Sequence, residues 1–271
     1  MRRGLNQVVA CWVALFFVLF HPAAAQRRAT IAVTTTMLET AVRDLLDNAA
    51  DVVRLLPPGS CPGHFDIDPN RVHDLLGARL FIRHDFQEAL DATLRKAGLD
   101  AGRIVALPSR SALTIPGNYL ALCEALAREL LRIWPEEESH IRAALDQIRA
   151  RARAEEEKAA QLRRRLRGRR VLCAQYQREF CAWLDLEIVA VFQAGTDESA
   201  WQLARAVDMA RVAGAEAVVG NLQWGPRHLK ALTEASGLTG IMLSNFPESG
   251  EAGAYWRLFA SNLEALANGL P

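Results

Sequence analysis

Residues Pro57 to Pro69 read PPGSCPGHFDIDP and run straight into NRVHDLLGARLFI, Asn70 to Ile82. Two prolines and a glycine force a sharp exit from the apolar run VVRLL that precedes them, and a Cys, a His and two Asp follow within a few residues. A turn of this kind closes a strand and sets polar groups at its carboxyl end.

Outward from that turn the chain alternates short apolar runs with amphipathic ones. Strands are expected at Thr30–Thr34, Val52–Leu56, Leu80–Ile82 and Ile104–Ala106, with helices at about Met37–Asp47, Asn70–Leu76 and Phe86–Ala97. The same alternation returns after Gly168, with strands at Val171–Ala174, Ile188–Phe192, Ala217–Gly220 and Gly240–Leu243. Helices there are expected at about Arg178–Leu184, Ser199–Val212, Pro226–Ala235 and Ala252–Leu266. Such alternation predicts parallel sheets covered on both faces.

Between the two runs lie a helix over Asn118–Trp134 and then a long polar segment. Pro135 suits a first helical position, Glu136 to Glu138 suit the positive end of a helix and Arg163 to Arg167 the negative end. Ile141, Leu145, Ile148, Ala152, Glu155, Ala159, Leu162 and Leu166 follow at steps of three and four, one continuous stripe. A helix of about 30 residues is roughly 45 Å long, enough to touch one lobe at each end. The weak middle of the stripe, only Ala and Glu, disfavours a dimeric coiled coil. The expected fold is therefore α/β: two lobes, each a mostly parallel sheet flanked by helices, joined by one long helix. The expected boundaries are a leader at 1–25, a first lobe at 26–134, the connecting helix at 135–168 and a second lobe at 169–271.

With 271 residues, 51% of them hydrophobic, the chain can bury a sizeable core, which excludes disorder and a small disulfide scaffold. The start has Arg2 and Arg3, an apolar run from Val8 to Phe20 and small residues at Ala23 to Ala25 before Gln26, the layout of a cleaved secretory signal. The apolar run is shorter than the roughly 20 residues a spanning helix needs, and Cys11 within it lacks the flanks of a lipoprotein signal. A soluble, periplasmic monomer is expected. Removing the leader leaves 30 basic residues against 31 acidic ones, so net charge gives no reason to expect a nucleic-acid partner, and RRRLRGRR from Arg163 to Arg170 reads as a solvated helix end. Four cysteines remain, Cys61, Cys123, Cys173 and Cys181, with three possible pairings in an oxidising compartment. Cys123 reads as a buried thiol on a helix.

The opening turn resembles the first metal-site loop of the periplasmic zinc and manganese solute-binding proteins of ABC transporters, which reads roughly PPG-x-DPH-x-(Tyr/Phe)-x-P-x-P, then a helix, then Ala-Asp-Leu. The resemblance runs through Pro57, Pro58, Gly59, Pro62, Phe65, Pro69, Val72, Leu75 and Ala78, with weaker echoes at Val171–Trp183 and Ala217–Pro226. Two α/β lobes joined by one long helix are that family's architecture. The resemblance implies an exported receptor that closes on its solute and presents it to a permease in the inner membrane, with no reaction.

It also implies four ligand positions, and this chain departs from each. Gly63 stands where the first His is expected, with His64 one place late. The segment Ser109–Pro116 has no His, Asp, Glu or Cys, Gln175 takes the third position, and Ser244 or Asn245 takes the fourth. Asn221 stands where many members have a Glu. Neutral amides are poor zinc ligands.

Apart from the resemblance, ligands of open parallel sheets bind outside the carboxyl ends of the strands. Those ends bring forward Thr34 to Thr36, Ser60 to His64, His84 with Asp85, Gln175 with Tyr176, Asn221 to Trp224, and Ser244 with Asn245. Two readings of the cargo stay open. One is a divalent ion, zinc or manganese, held by Cys61 and His64 with His84 or Asp66. The other is a metal-containing or small organic solute held by His64, Gln175, Asn221 and Trp224 through hydrogen bonds and stacking. A thiol enzyme with Cys61 as nucleophile and His64 as base is an alternative, without an identifiable third partner or oxyanion loop. A receptor-like module that has lost its solute is another. Asp68 before Pro69 reads as a helix cap, His84, although a candidate ligand, reads on balance as structural or exposed, as do His73, His140 and His228, and Trp134, Trp183, Trp201 and Trp256 read as core.

Overall fold

The computed structural model describes residues 29–60, 75–109, 112–193 and 200–270. The expected leader, the turn residues Cys61, His64, Asp66 and Asp68, His73, and most of the helix expected over Asn70–Leu76 lie outside the described residues.

The first sheet has four parallel strands, β1 (Ala29–Val33), β2 (Ala50–Arg54), β3 (Leu80–His84) and β4 (Ile104–Leu107), in the order β2-β1-β3-β4. Around it lie α1 (Thr36–Leu46), α2 (Ala89–Lys96) and α3 (Pro116–Ile133). The second sheet repeats the winding with β5 (Arg170–Ala174), β6 (Glu187–Phe192), β7 (Ala217–Asn221) and β8 (Thr239–Leu243), ordered β6-β5-β7-β8. Its helices are α5 (Arg178–Trp183), α6 (Ala200–Val212), α7 (Pro226–Ser236) and α8 (Ala254–Gly269). Every residue of β3 and of β7 is buried, as expected of inner strands packed on both faces. In each sheet the chain order reverses beside the first strand, between β1 and β3 and between β5 and β7, and a crevice opens there at the carboxyl ends.

The long helix α4 (Glu138–Leu166) follows a short turn, Pro135–Glu137, and its stripe faces inward along the molecule, buried except for the half-buried Leu145 and Leu162. Ile141 and Ile148 belong to the core of the first lobe, Ala159 and Leu166 to that of the second. In the waist the buried Glu155 carboxylate is paired with Arg151 at 2.7 Å and Lys158 at 3.2 Å, which offsets the cost of removing it from water.

A second helix also crosses between the lobes, which the sequence pattern did not announce. Tyr255 and Leu258 of α8 lie in the first lobe's core, while Phe259 and Leu266 lie in the second's. Tyr255 stacks on Tyr119 of α3 with ring centroids 3.6 Å apart, and Trp256 meets both rings edge-on. The Tyr255 hydroxyl donates to the Thr114 carbonyl at 3.1 Å. Asp44 of α1 accepts from the Tyr119 hydroxyl at 2.7 Å and from the Gly253 backbone N–H at 2.6 Å. Burial raises the Asp44 carboxyl above its ordinary range, while these two hydrogen bonds and Arg257 pull it back.

The expectation that Trp201 is core is corrected: its side chain is 65% exposed, with Arg205 over its ring, because it falls on the outer face of α6. Trp134 is buried at the end of α3, under Arg79. Cys123 is fully buried on α3, and His140 is exposed.

Truncating Tyr255→Ala removes the ring that joins the lobes and is expected to lower the unfolding free energy by about 3–5 kcal/mol, read by denaturant titration. Gly250 approaches α1 so closely that a Cβ there would fall 1.9 Å from the Glu39 carboxylate, itself paired with Arg43 and Arg54. Gly250→Ala is expected to lower stability by about 1–3 kcal/mol; an unchanged melting curve would refute this contact.

Candidate functional site

In the first lobe the crevice between β1 and β3 is built around His84, the last residue of β3, which is fully buried. Its Nε2 lies 2.9 Å from the Thr35 hydroxyl, which also caps α1 by accepting from the Leu38 N–H. Its Nδ1 lies 2.6 Å from the Ser109 hydroxyl. That hydroxyl also reaches the Leu107 carbonyl at 3.4 Å, and a neutral imidazole donates from one nitrogen and accepts at the other. Both ring nitrogens are thereby engaged. Burial pushes the imidazole down to about 3, with Asp85 pulling the other way, so the ring is neutral at physiological pH.

After β3 the chain makes a three-residue turn, Asp85–Gln87. Phe86 in its middle is 56% exposed and stacks on His84 at 5.1 Å. Gln87 turns back inward, where its Oε1 accepts from the Thr34 hydroxyl and from the His84 N–H. After β5 the second lobe makes a turn of the same form, Gln175–Gln177. Gln175 is half-buried, Tyr176 is 56% exposed, and Gln177 turns back and is fully buried.

Gln177 bridges the crevice of its own sheet. Its Nε2 donates to Asn245 Oδ1 at 3.0 Å and to Asn221 Oδ1 at 3.4 Å, and Asn245 Nδ2 reaches Asn221 Oδ1 at 3.5 Å. Within this cluster two buried atoms have no partner among the described residues, Gln177 Oε1 and Asn221 Nδ2, one acceptor and one donor. Each orphan costs about 1–3 kcal/mol, an expense that a ligand offering the complementary groups would remove.

The loop after β8 is held firmly. Asn262 of α8 pairs with both the N–H and the C=O of Ser244, at 3.0 and 2.8 Å. Gln223 receives the Asn245 N–H at 3.0 Å and donates to the Ser244 hydroxyl at 2.9 Å, and that hydroxyl donates to the Phe246 carbonyl. Phe246 then meets His84 edge-on, ring centroids 6.2 Å apart. The amide cluster and the His84 cluster therefore come together across the two lobes.

Of the residues singled out from sequence, His84, Asn221 and Ser244 lie in this region, His84 and Ser244 with their polar side-chain atoms committed to protein partners. Gln175 opens its turn. Trp224 sits at the rim, 5.3 Å from Tyr176 and 6.1 Å from Phe192. Cys61 and His64 lie outside the described residues. Sequence reasoning missed Gln177, Gln87 and Asn262. The available signal for the two glutamines was position: each is the third residue of a turn leaving a buried strand, where the chain heads back toward the sheet. Among the described residues no three His, Cys, Asp or Glu side chains gather as a metal site.

Residues 31–269 match the family described as zinc-uptake complex component A, periplasmic. The fold is similar to a zinc-bound deletion mutant of ZnuA, at 16% identity and a TM-score of 0.75, covering 89% of this chain and 98% of that one. It is also similar to the solute-binding protein FpvC from Pseudomonas aeruginosa in complex with Mn2+, at 18% identity and a TM-score of 0.73, covering 90% and 98%. The laminin-binding protein of Streptococcus agalactiae, an adhesin with metal-transporting activity, is similar at 17% identity and a TM-score of 0.73, covering 90% and 100%. No curated protein sequence matches the chain.

The His84 environment sets a pH dependence. The imidazole titrates near 6.5 when unfolded and near 3 when folded, so between those values the unfolded chain binds the extra proton. The stability it contributes is complete above about pH 6.5 and falls as pH drops toward 3, by up to about 1.4 kcal/mol per pH unit. Denaturant titrations at pH 7 and 5 are expected to show a smaller loss for His84→Asn than for the native chain; equal losses would remove His84 as the cause.

Proposed function

The chain belongs to the family of periplasmic zinc-uptake complex component A proteins, metal-binding receptors of ABC transporters, and on that premise we propose that its cargo is a divalent metal ion, or a complex of one, bound between the lobes. The observation that carries the reading is the buried amide cluster at the carboxyl ends of β5, β7 and β8, with Gln177 Oε1 and Asn221 Nδ2 unpartnered. It lies where open parallel sheets bind ligands, beside the residue that contacts His84 of the other lobe.

The donor chemistry narrows the cargo's form. Amides are weak direct ligands for zinc, yet they hydrogen-bond well to the water or organic ligands an ion already carries. Direct coordination in this reading comes from the Pro57–Pro69 turn, with His64 first and Cys61 or Asp66 beside it. Gln175, Gln177, Asn221 and Asn245 hold the ligand shell, and Tyr176 with Trp224 supplies an aromatic rim. Closure takes the first lobe (26–134) and the second (169–271) through a small relative movement about the connecting 135–168, since α4 and α8 both cross between them. The closed form, a monomer exported with its leader removed, then docks on a permease in the inner membrane.

The test is native mass spectrometry with elemental analysis on protein purified from its exported compartment without chelators. A stoichiometric metal is expected, lost in His64→Ala. Asn221→Ala is expected to weaken cargo binding about tenfold, the loss of one buried hydrogen bond of about 1.4 kcal/mol. Protein that carries no metal and shows no thermal shift with zinc, manganese or their chelates would overturn the reading.

A further inference from the structure

The second lobe carries two cysteines that the cargo site does not use. Cys173, near the end of β5, and Cys181, on α5, are both fully buried, with their sulfurs 3.7 Å apart. The neighbouring core is apolar, with Val171, Phe180 and Leu184 in the same cluster. Cys173 also donates to the Ala174 carbonyl, at 3.4 Å. Cys123 sits in the core of the other lobe and is no competitor for either sulfur in the folded chain.

We propose that Cys173 and Cys181 are joined by a disulfide in the exported protein. A disulfide bond spans about 2.05 Å, so sulfurs now 3.7 Å apart need to approach by less than 2 Å. The family's compartment is periplasmic, where disulfides form and persist. A thiol–disulfide oxidoreductase in its disulfide form is the oxidant. The thiolate of one cysteine attacks the donor disulfide and releases one donor thiolate, giving a mixed disulfide. The thiolate of the second cysteine then displaces the donor's other sulfur. One protein disulfide forms, the donor becomes a dithiol, and two electrons pass from the protein thiols to it, with the two thiol protons taken up by the departing donor sulfurs.

Burial decides when this happens. Their mutual contact, with burial, raises the Cys173 thiol well above its ordinary range, and neither sulfur is open to a donor once the lobe has closed. The exchange therefore precedes the closing of the lobe, and the finished bridge is sealed from reductants. Its place gives it a role: the bridged segment contains the Gln175–Gln177 turn, so the bond ties β5 to α5 across the residues that present Gln177 to the amide cluster.

Trypsin cuts after Arg178, between the two cysteines, which makes the bond directly readable. Protein purified from its exported compartment is unfolded in guanidinium with N-ethylmaleimide present, digested, and mapped by mass spectrometry with and without prior reduction. Peptides 171–178 and 179–205 are expected as one linked species lacking two hydrogens, resolved into two alkylated peptides only after reduction. In Cys181→Ser, Cys173 is expected to be alkylated without reductant. Folded native protein is expected to keep the link in mild reductant, and protein reduced in denaturant and refolded to melt several degrees lower. Peptides alkylated separately before any reduction, or either cysteine linked to Cys61 or Cys123, would overturn the proposal. Cargo binding plays no part in this readout, so its failure is separable from that of the receptor assignment.

Discussion

The stacking of Tyr255 on Tyr119 governs how the two halves of the molecule meet. At 3.6 Å between centroids the rings leave no room for water, and the polar groups around them are satisfied internally by Asp44, Gly253 and Thr114. A half-buried carboxylate, Asp44, with fixed donors on both oxygens sets the start of α8 against α1 and α3. With α4 crossing elsewhere, the sheets have two connections rather than one. Rotation of one lobe on the other must strain both, which confines the molecule to small relative movements.

That confinement matters because each lobe contributes half of the candidate site at the reversal point of its sheet. The halves follow one plan: a buried strand, a three-residue turn with an exposed aromatic at its centre, and a glutamine that folds back to bond the neighbouring strand's end. Chemically they differ. In the first lobe burial keeps the imidazole neutral, and Gln87, Thr34, Thr35, His84 and Ser109 form a chain of bonds that keeps it occupied. In the second, Gln177 and Asn221 remain partly unpaired. In the reading proposed above, the satisfied half holds its shape and the unsatisfied half offers hydrogen bonds to the cargo's ligand shell, consistent with the general rule that preorganised surroundings lower the cost of capture.

The strands were legible because inner parallel strands are apolar runs, such as LFI at Leu80 to Ile82 and AVV at Ala217 to Val219, bounded by polar turns. Pro135, the acidic start and the arginine-rich end made α4 equally plain. The crossing of α8 was not legible, since periodicity marks Tyr255, Leu258, Phe259 and Leu266 as apolar without saying which core each enters. Trp201 misled for a related reason: a helical pattern places a tryptophan on a face but does not reveal that the face is uncovered. In the site, strand ends pointed to Gln175 and Asn221, whereas Gln177 was invisible because a glutamine's burial depends on how sharply its turn folds back. Residue type also concealed the state of His84, whose hydroxyl partners come from Thr35 and Ser109, far from it in the chain.

The division of α8 between two cores also has a consequence for how the molecule is made. Tyr255 and Leu258 complete the packing of strands and helices that begin at Ala29, so a chain emerging from its N-terminus produces the first lobe long before the side chains that finish it. Many multi-lobed proteins fold one unit at a time during synthesis. Here the last helix acts as a keystone: until it arrives neither core holds all of its side chains, and the growing polypeptide stays loose before it locks.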